Sequence, residues 1–404
     1  MVLRRILMLF KGDRWILYTV FFLMLLSTLS VYSSVSALAY QKASGDTTLF
    51  LMGHCGKLLV SLVLLCVTSR IKPKYYSGLA ELSLIMSIVL LLLTFVVGTN
   101  INGSSRWLSI GGLTFQPSEL VKISLILYVA KELARNFETP DKAFWRITAV
   151  AGITCMVIAL ENLSTSLLIA MTIGTLMIIG RISLWRIGAV GMALAAFVFV
   201  AVYFAPQVGT VFERAETWRA RIERFMGDGE AQDNYQAEQA ITAVSTGGLT
   251  GRGPGNSYMK NFLPMAFSDF IFSIILEEYG LLGCVAVIVA FFIILARSCH
   301  VGRRCKKPFH LYTIMGLAVC ISYQALINMM VGVGLMPVTG QTLPMVSMGG
   351  TSNMIMGIAF GIMLSVSEET RLLNAEGETR PLEDIKKYID SLREKKRQKS
   401  KQKA

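Results

Sequence analysis

Runs of about twenty apolar residues recur along almost the whole chain, and this repetition restricts the fold more than any other feature. A run of that length is what an α-helix needs to cross the hydrocarbon core of a bilayer. Hydrophobic residues make up 53% of the 404 residues and charged residues only 16%, whereas soluble domains carry about a quarter charged residues. The sequence therefore predicts an all-α, polytopic integral membrane protein with about ten transmembrane helices.

The predicted spans follow one another closely, except for a long gap after the seventh. They are Trp15–Leu38, Leu49–Val67, Leu79–Val97, Ser118–Leu133, Ile147–Leu160, Ser166–Ile179, Ile187–Phe204, Phe270–Leu295, Leu311–Met330 and Pro344–Ser365. We expect one membrane domain over residues 1–370, with a large extracytoplasmic loop at about 205–268 between helices 7 and 8. Residues 371–404 should form a basic cytoplasmic tail, either solvated or folded as an amphipathic helix on the membrane surface.

The net charge of +13 comes from lysines and arginines that flank the apolar spans and fill the tail. Every second loop is basic, which places those loops and both termini in the cytoplasm. No basic-aromatic module is visible, so nucleic-acid binding is a poor interpretation. The seven cysteines lack the paired spacing of a zinc site, and no protein metal site is predicted. A divalent cation as cofactor is left open.

Ionisable residues inside apolar spans are costly and therefore indicate function. Glu119 and Lys122 lie three residues apart on one helix face, where they could be a neutralised ion pair or the lining of a site for an anionic substrate. Glu277 and Glu278 are adjacent, so one can face a cavity while the other meets a basic partner. A purely structural pairing of this second couple remains open.

Two further places stand out. His54 and Lys57 lie inside the second span, where the lysine needs an acidic or diphosphate partner. The stretches 334–344 and 347–352 are rich in Gly and Pro, and irregular backbone at membrane depth is tolerated only where it is buried in protein or lines a cavity. Small-residue packing between helices contributes to the same pattern.

Taken in order, these segments resemble the SEDS (shape, elongation, division and sporulation) family, to which FtsW and RodA belong. The resemblance extends from about residue 15 to 370. The stretches that carry it are 103–108, 116–122, 235–236, 247–253, 260–264, 269–272, 277–280, 337–340, 343–344 and 347.

The resemblance implies a bacterial inner-membrane glycosyltransferase that polymerises lipid II into peptidoglycan strands. Such proteins work with a class B penicillin-binding protein, which crosslinks the strands, and with other division proteins. The stretches 341–344 and 324–328 look more like the division-type FtsW branch, and hence septal, than the elongation-type RodA branch. The alternatives are a lipid II flippase, a RodA-type elongation polymerase and a non-catalytic scaffold.

The resemblance assigns the catalytic role to Asp269. A carboxylate where the long loop becomes the eighth span suits a general base for sugar transfer, and the competing interpretation is a helix N-cap. Cations should hold the substrate diphosphate, and our candidates are Lys122, Arg106, Arg252, Lys260 and Arg221. The other predicted substrate-binding residues are Glu119, Ser118, Glu277, Thr339 and Ser347.

One departure from the family pattern lies beside the fifth span. Where many members have Pro-Asp-Leu-Gly-Thr, this chain has Glu161-Asn162-Leu163-Ser164-Thr165. Asn162 carries no charge, so a salt bridge assigned to that position is in doubt here.

Overall fold

The protein is helical over almost all of the chain that the computed structural model describes, which is residues 11–36, 46–101, 104–110, 113–204, 219, 235–263 and 265–375. The helices within these ranges are α1 (Arg14–Ser34), α2 (Thr47–Arg70), α3 (Pro73–Val97), α4 (Pro117–Arg135), α5 (Pro140–Glu161), α6 (Leu163–Ile179), α7 (Leu184–Phe204), α8 (Tyr235–Gly247), α9 (Ile271–Arg303), α10 (Pro308–Gly332) and α11 (Thr351–Ala375).

Each of the ten predicted spans overlaps one of these helices, and the protein is a polytopic membrane protein. Six described helices are long and apolar enough to cross a bilayer, namely α1, α2, α3, α5, α9 and α10. Helix α6 and the stretch 184–200 of α7 are shorter and apolar. Helices α4 and α11 carry charged residues within their length, and in α4 these include the predicted site pair Glu119 and Lys122.

The bounds of α11 differ from those of the predicted tenth span. Helix α11 begins at Thr351 rather than near Pro344, so a longer irregular segment precedes it. The predicted domain boundary after residue 370 falls inside this helix, which continues to Ala375. The apolar residues of the tail that recur at helical spacing lie outside the described residues.

A small antiparallel sheet that was not predicted connects α3 to α4. Strand β2 (Ser104–Ile110) pairs with β1 (Thr99–Ile101) on one side and with β3 (Leu113–Phe115) on the other. The sheet leads directly into Pro117, which suits the first turn of α4 because that turn needs no backbone N–H. The sheet thereby sets where the polar start of α4 enters the protein.

Helix α10 lies at the centre of the bundle, and 67% of the residues in its most apolar stretch are buried. Helix α2 packs against α11 at glycines, since a Cβ added at Gly357 would lie 2.4 Å from the carbonyl oxygen of Ser61. Gly361 is equally close to Leu65 and Thr68 of α2. This close approach holds α2 beside the irregular segment that precedes α11.

Helix α9 is broken at Gly280, whose φ of 64° and ψ of −159° interrupt the helical hydrogen bonds. The loop after α8 supplies the missing partners. The backbone N–H groups of Arg252 and Gly253 donate to the carbonyl oxygens of Glu277 and Glu278, at 3.0 and 2.9 Å. The N–H of Leu281 donates in turn to the carbonyl of Gly248, at 3.0 Å. The loop therefore satisfies the backbone hydrogen-bonding groups that the break exposes.

Candidate active site

Asp269 lies in a tight turn immediately before α9. The N–H groups of Ser268 and Asp269 both donate to the carbonyl of Met265, at 2.9 and 3.2 Å. Phe270, not Asp269, occupies the cap position of the helix. The competing interpretation of Asp269 as a helix cap is therefore unsupported. The side chain is half-buried, and its Oδ1 accepts a hydrogen bond of 2.9 Å from the Ser268 hydroxyl.

The irregular segment before α11 lies directly against this turn. A Cβ added at Gly340 would be 3.7 Å from Oδ2 of Asp269, and the φ of +66° at Gly340 favours glycine there. The Ser347 hydroxyl donates to the carbonyl of Ser268 at 2.6 Å and accepts from the N–H of Leu343 at 2.8 Å. Ser347 therefore braces the turn, and its predicted contact with substrate has no support in this geometry.

Asn328 of α10 fixes the same turn from the other side. Its Nδ2 donates to the carbonyl of Asp269 at 2.9 Å and to the carbonyl of Gln341 at 2.7 Å. Gln324 lies one turn earlier on the same face of α10. The sequence analysis did not predict that these amides belong to the site. Two amides four residues apart in an apolar span were the signal available.

Lys122 and Glu119 form a buried ion pair, with Nζ and Oε1 2.8 Å apart and Lys122 only 1% exposed. Gln324 joins the pair to the irregular segment, because its Oε1 accepts from Lys122 Nζ at 2.7 Å and its Nε2 donates to the carbonyl of Thr342 at 3.0 Å. The other Glu119 oxygen accepts from the Ser352 hydroxyl at 3.2 Å. Gln324 and Asn328, one helical turn apart on α10, thus connect Lys122 and the Asp269 turn through hydrogen bonds to the same irregular segment.

Asn162, which replaces the family's aspartate, has a different task. Its Oδ1 accepts from the N–H of Thr165 at 3.2 Å and caps α6. The charge of Lys122 is balanced by Glu119 from its own helix.

Several buried polar atoms near these residues have no hydrogen-bond partner within the described part of the chain. They are Ser118 Oγ, Asn328 Oδ1 and Thr339 Oγ1. Buried polar groups are normally satisfied. Unused capacity beside a carboxylate and a lysine therefore suits a site that binds a polar ligand, and the substrate contacts of Ser118 and Thr339 stay predictions.

Other predicted cations lie in a second cluster about two turns along α9, roughly 12 Å from Asp269 by helical rise. Arg252 Nη1 lies 3.7 Å from Glu277 Oε1. Lys260 Nζ donates to the carbonyl of Gly255 at 2.6 Å and to the Ser33 hydroxyl at 3.3 Å. These contacts are with the chain itself rather than with the Asp269 turn.

Glu277 anchors this second cluster. It is 0% exposed and accepts hydrogen bonds from the Ser257 hydroxyl at 2.5 Å and from the backbone N–H groups of Tyr258 and Met259 at 2.9 and 3.3 Å. The geometry gives Glu277 a structural role and does not support the prediction that it binds substrate.

Two predicted cations cannot be placed. Arg106 lies on β2, but its side chain is outside the described residues, as is the whole of Arg221. Over the described ranges no three His, Cys, Asp or Glu residues form a group able to hold a metal ion. A divalent cation stays a prediction, and the chemistry below is derived from the chain's own residues.

Fold and site together define a multi-pass membrane protein in which the half-buried carboxylate of Asp269 lies near the buried Lys122–Glu119 ion pair. The chain matches the FtsW/RodA/SpoVE family, described as Cell cycle protein, over residues 13–372. It therefore belongs to this family, and it is a multi-pass protein of the inner membrane.

Relatives and solved structures agree with this assignment. The chain is 34% identical to the probable peptidoglycan glycosyltransferase FtsW of Halomonas elongata, covering 89% of this chain and 91% of the relative. It is 30% identical to the protein of the same name from Escherichia coli, covering 90% and 88%.

The fold is similar to a chain in a structure described as structural coordination of polymerization and crosslinking by a peptidoglycan synthase complex, with a TM-score of 0.71, 24% identity and coverage of 89% and 98%. It is also similar to the rod shape determining protein RodA of Thermus thermophilus, with a TM-score of 0.63, 23% identity and coverage of 89% and 97%.

Proposed function

We propose that this protein is a peptidoglycan glycosyltransferase that polymerises lipid II, with Asp269 as its general base. The observation that carries the proposal is the clamped Asp269 turn next to the Lys122–Glu119 pair. The family and its relatives, which are named peptidoglycan glycosyltransferases, supply the reaction class.

In this reaction the acceptor sugar hydroxyl attacks the anomeric carbon of the lipid-linked donor. The new C–O bond forms as the bond to the diphosphate breaks, and the diphosphate leaves with the electron pair. The hydroxyl proton passes to Asp269, so one well-placed carboxylate suffices. Lys122 is the cation next to the turn, and a charge-assisted contact to the diphosphate suits its remaining N–H.

The proposal is tested by glycan polymerisation from purified lipid II with the cognate transpeptidase. Asp269→Asn keeps the size of the side chain and can still accept from Ser268, but it cannot take the proton. We expect a loss of about a thousandfold or more in rate with unchanged thermal stability. Near wild-type polymerisation by this variant would show that the base is elsewhere.

The same purified protein distinguishes a polymerase from a flippase. A flippase would move lipid II across vesicles without forming glycosidic bonds, and Asp269→Asn would slow that transport. Polymer formation by the wild-type protein together with unchanged transport in the variant supports the polymerase.

We further propose that the Asp269 side faces outwards and that both termini are cytoplasmic. Ion pairs tie the basic loops together at the other ends of the helices, as in Arg297–Asp13 at 2.5 Å and Arg186–Asp141 at 2.8 Å. Such basic loops belong in the cytoplasm. Cysteine labelling should therefore reach position 254 from outside and position 303 only from inside.

We propose a class B penicillin-binding protein as partner and the division septum as the place of action. The solved neighbour from a peptidoglycan synthase complex supports the first, and the FtsW relatives support the second. The partner's single span would approach α9 on its exposed side, away from Gly280 and Ala290, which are buried within the protein. Large apolar side chains instead form the exposed face of α9: Leu281, Leu282, Val285, Ile288, Val289 and Phe292.

A bulky polar substitution on that face tests the partner proposal. Val285→Gln should weaken co-purification with the transpeptidase, whereas Val96→Gln on the equally lipid-facing α3 should not. Equal recovery of the partner with both variants would place the docking surface elsewhere.

A further inference from the structure

The second predicted span contains His54, which the proposed reaction does not use. In the structure His54 lies in α2, is 0% exposed, and has its Nε2 2.8 Å from the hydroxyl of Ser27 in α1. That hydroxyl donates to the carbonyl of Val346 at 2.6 Å. The pair therefore connects two peripheral helices to the irregular segment before α11.

The hydrogen-bond directions follow from counting protons. Ser27 has a single hydroxyl hydrogen, which the Val346 carbonyl takes, so the bond to His54 must be donated by Nε2. Nδ1 is buried and has no partner within the described part of the chain. Burial away from water disfavours an imidazolium with an unmet N–H. His54 is therefore neutral, with its hydrogen on Nε2.

Val346 lies in the stretch that braces the catalytic turn. Its neighbour Ser347 donates to the carbonyl of Ser268, and the N–H of Met348 donates to the carbonyl of Phe267 at 2.9 Å. On the other side Met345 has a φ of 62°, a conformation that residues with side chains rarely adopt. A strained turn of this kind persists only when its surroundings fix it.

We propose that His54 and Ser27 are positioning residues for Asp269. They hold the carbonyl of Val346, and through it the 343–348 turn, against residues 267–269. The proposal rests on the proposed function. It adds that a hydrogen-bonded pair on the first two helices sets the geometry of the base.

The variants separate the N–H of His54 from its volume. In His54→Gln the side-chain amide nitrogen reaches the place of Nε2, whereas in His54→Asn it stops near the place of Nδ1. His54→Leu fills the space without a donor, and Ser27→Ala removes the relay. Ser34→Ala is the matched control, because Ser34 is equally buried on α1 but bonds only within its own helix.

Two measurements on the full chain in nanodiscs are needed. Amide hydrogen exchange over 343–348 reports the turn whether or not the protein is active, and polymerisation with the transpeptidase gives kcat and KM. For His54→Leu, His54→Asn and Ser27→Ala we expect about tenfold faster exchange. We expect about tenfold lower kcat with KM changed less than about twofold, since misplacement of the base affects the transition state.

His54→Gln and Ser34→Ala should match the wild type in both measurements, and the Ser27→Ala, His54→Leu double variant should be no worse than either single one. Unchanged exchange in His54→Leu overturns the proposal. Faster exchange with unaltered kcat overturns the link to Asp269. A wild type that forms no glycan overturns the proposed function instead, and exchange still decides whether the pair holds the turn.

Discussion

Two polar clusters of the same residue types lie along this protein, one at the Asp269 turn with Lys122 and one around Glu277. In the Glu277 cluster the carboxylate is 0% exposed and receives three hydrogen bonds from residues 257–259, with Arg252 beside it. At the Asp269 turn, the side chains of Ser118, Asn328 and Thr339 each keep a buried polar atom without a partner in the described chain. Glu277 is thus a saturated carboxylate that holds a loop, whereas the Asp269 turn has capacity left for a ligand. The contrast applies to Glu277 itself, since Oε2 of the adjacent Glu278 also lacks a partner within the described residues.

The largest effect on stability and activity is expected at Lys122. Lys122→Ala leaves Glu119 buried and unpaired, which costs about 3–5 kcal/mol of stability, so folding and activity fall together. Glu119→Gln combined with Lys122→Met removes both charges and should restore folding. We expect this double variant to polymerise lipid II about a hundredfold more slowly, measured at equal folded protein. Normal activity in the double variant would remove the pair from the site.

Glu277 should give the opposite result. Glu277→Gln replaces one carboxylate oxygen by an N–H that faces other donors, which should cost about 2–4 kcal/mol in the free energy of unfolding. Activity per folded molecule should change little. Thermal unfolding and polymerisation at a temperature below the transition separate the two quantities. A variant of normal stability but low activity would move Glu277 into the site.

Thr339 tests whether the unpartnered polar atoms at the site contact a ligand. Thr339→Val keeps the shape and removes a hydroxyl that meets no partner within the described residues, so stability should rise by about 1 kcal/mol. Polymerisation should fall about tenfold if the hydroxyl contacts substrate. Ser257→Ala is the converse control, because this hydroxyl is satisfied by Glu277, and its loss should lower stability. A Thr339→Val variant that is both stable and fully active would argue against a ligand contact.

The smallest effect is expected at the exposed cations of the loop. Arg252 is 43% exposed at 3.7 Å from its partner, so Arg252→Ala should change stability by less than about 1 kcal/mol. If Arg252 guides the diphosphate, KM for lipid II should rise about threefold, and added salt should diminish the difference. If Arg252→Ala and the wild type have the same KM for lipid II at both low and high salt, the role of Arg252 is limited to holding the loop.

Much of the fold could be predicted because a helix that spans a bilayer needs a run of about twenty apolar residues. Each of the ten apolar runs overlaps a described helix. The sheet between α3 and α4 was missed because its strands are as short as three residues and carry no sustained alternation. Helix α8 was missed because it sits within a polar loop and buries only one side.

The site was predicted less completely, for a physical reason. Ionisable residues in apolar spans stand out, so Asp269, Lys122 and Glu119 could be predicted as candidates. Whether a carboxylate is saturated depends on partners far away in the chain, and Glu277 meets residues about twenty positions earlier. Likewise, nothing near His54 in the sequence indicates Ser27, which lies 27 residues away on another helix.

The break at Gly280 has a consequence for how the protein is made. Four backbone groups at the break, two carbonyls and two N–H groups, find their partners in residues 248–253. In hydrocarbon each such group left unmet costs several kcal/mol. The segment after α8 is synthesised before α9, so with the proposed orientation it reaches the far side of the membrane first and is available to these groups when α9 leaves the translocon. Biogenesis of this helix is thus coupled to export of the loop, and a loop that is delayed leaves the helix unable to settle in the bilayer.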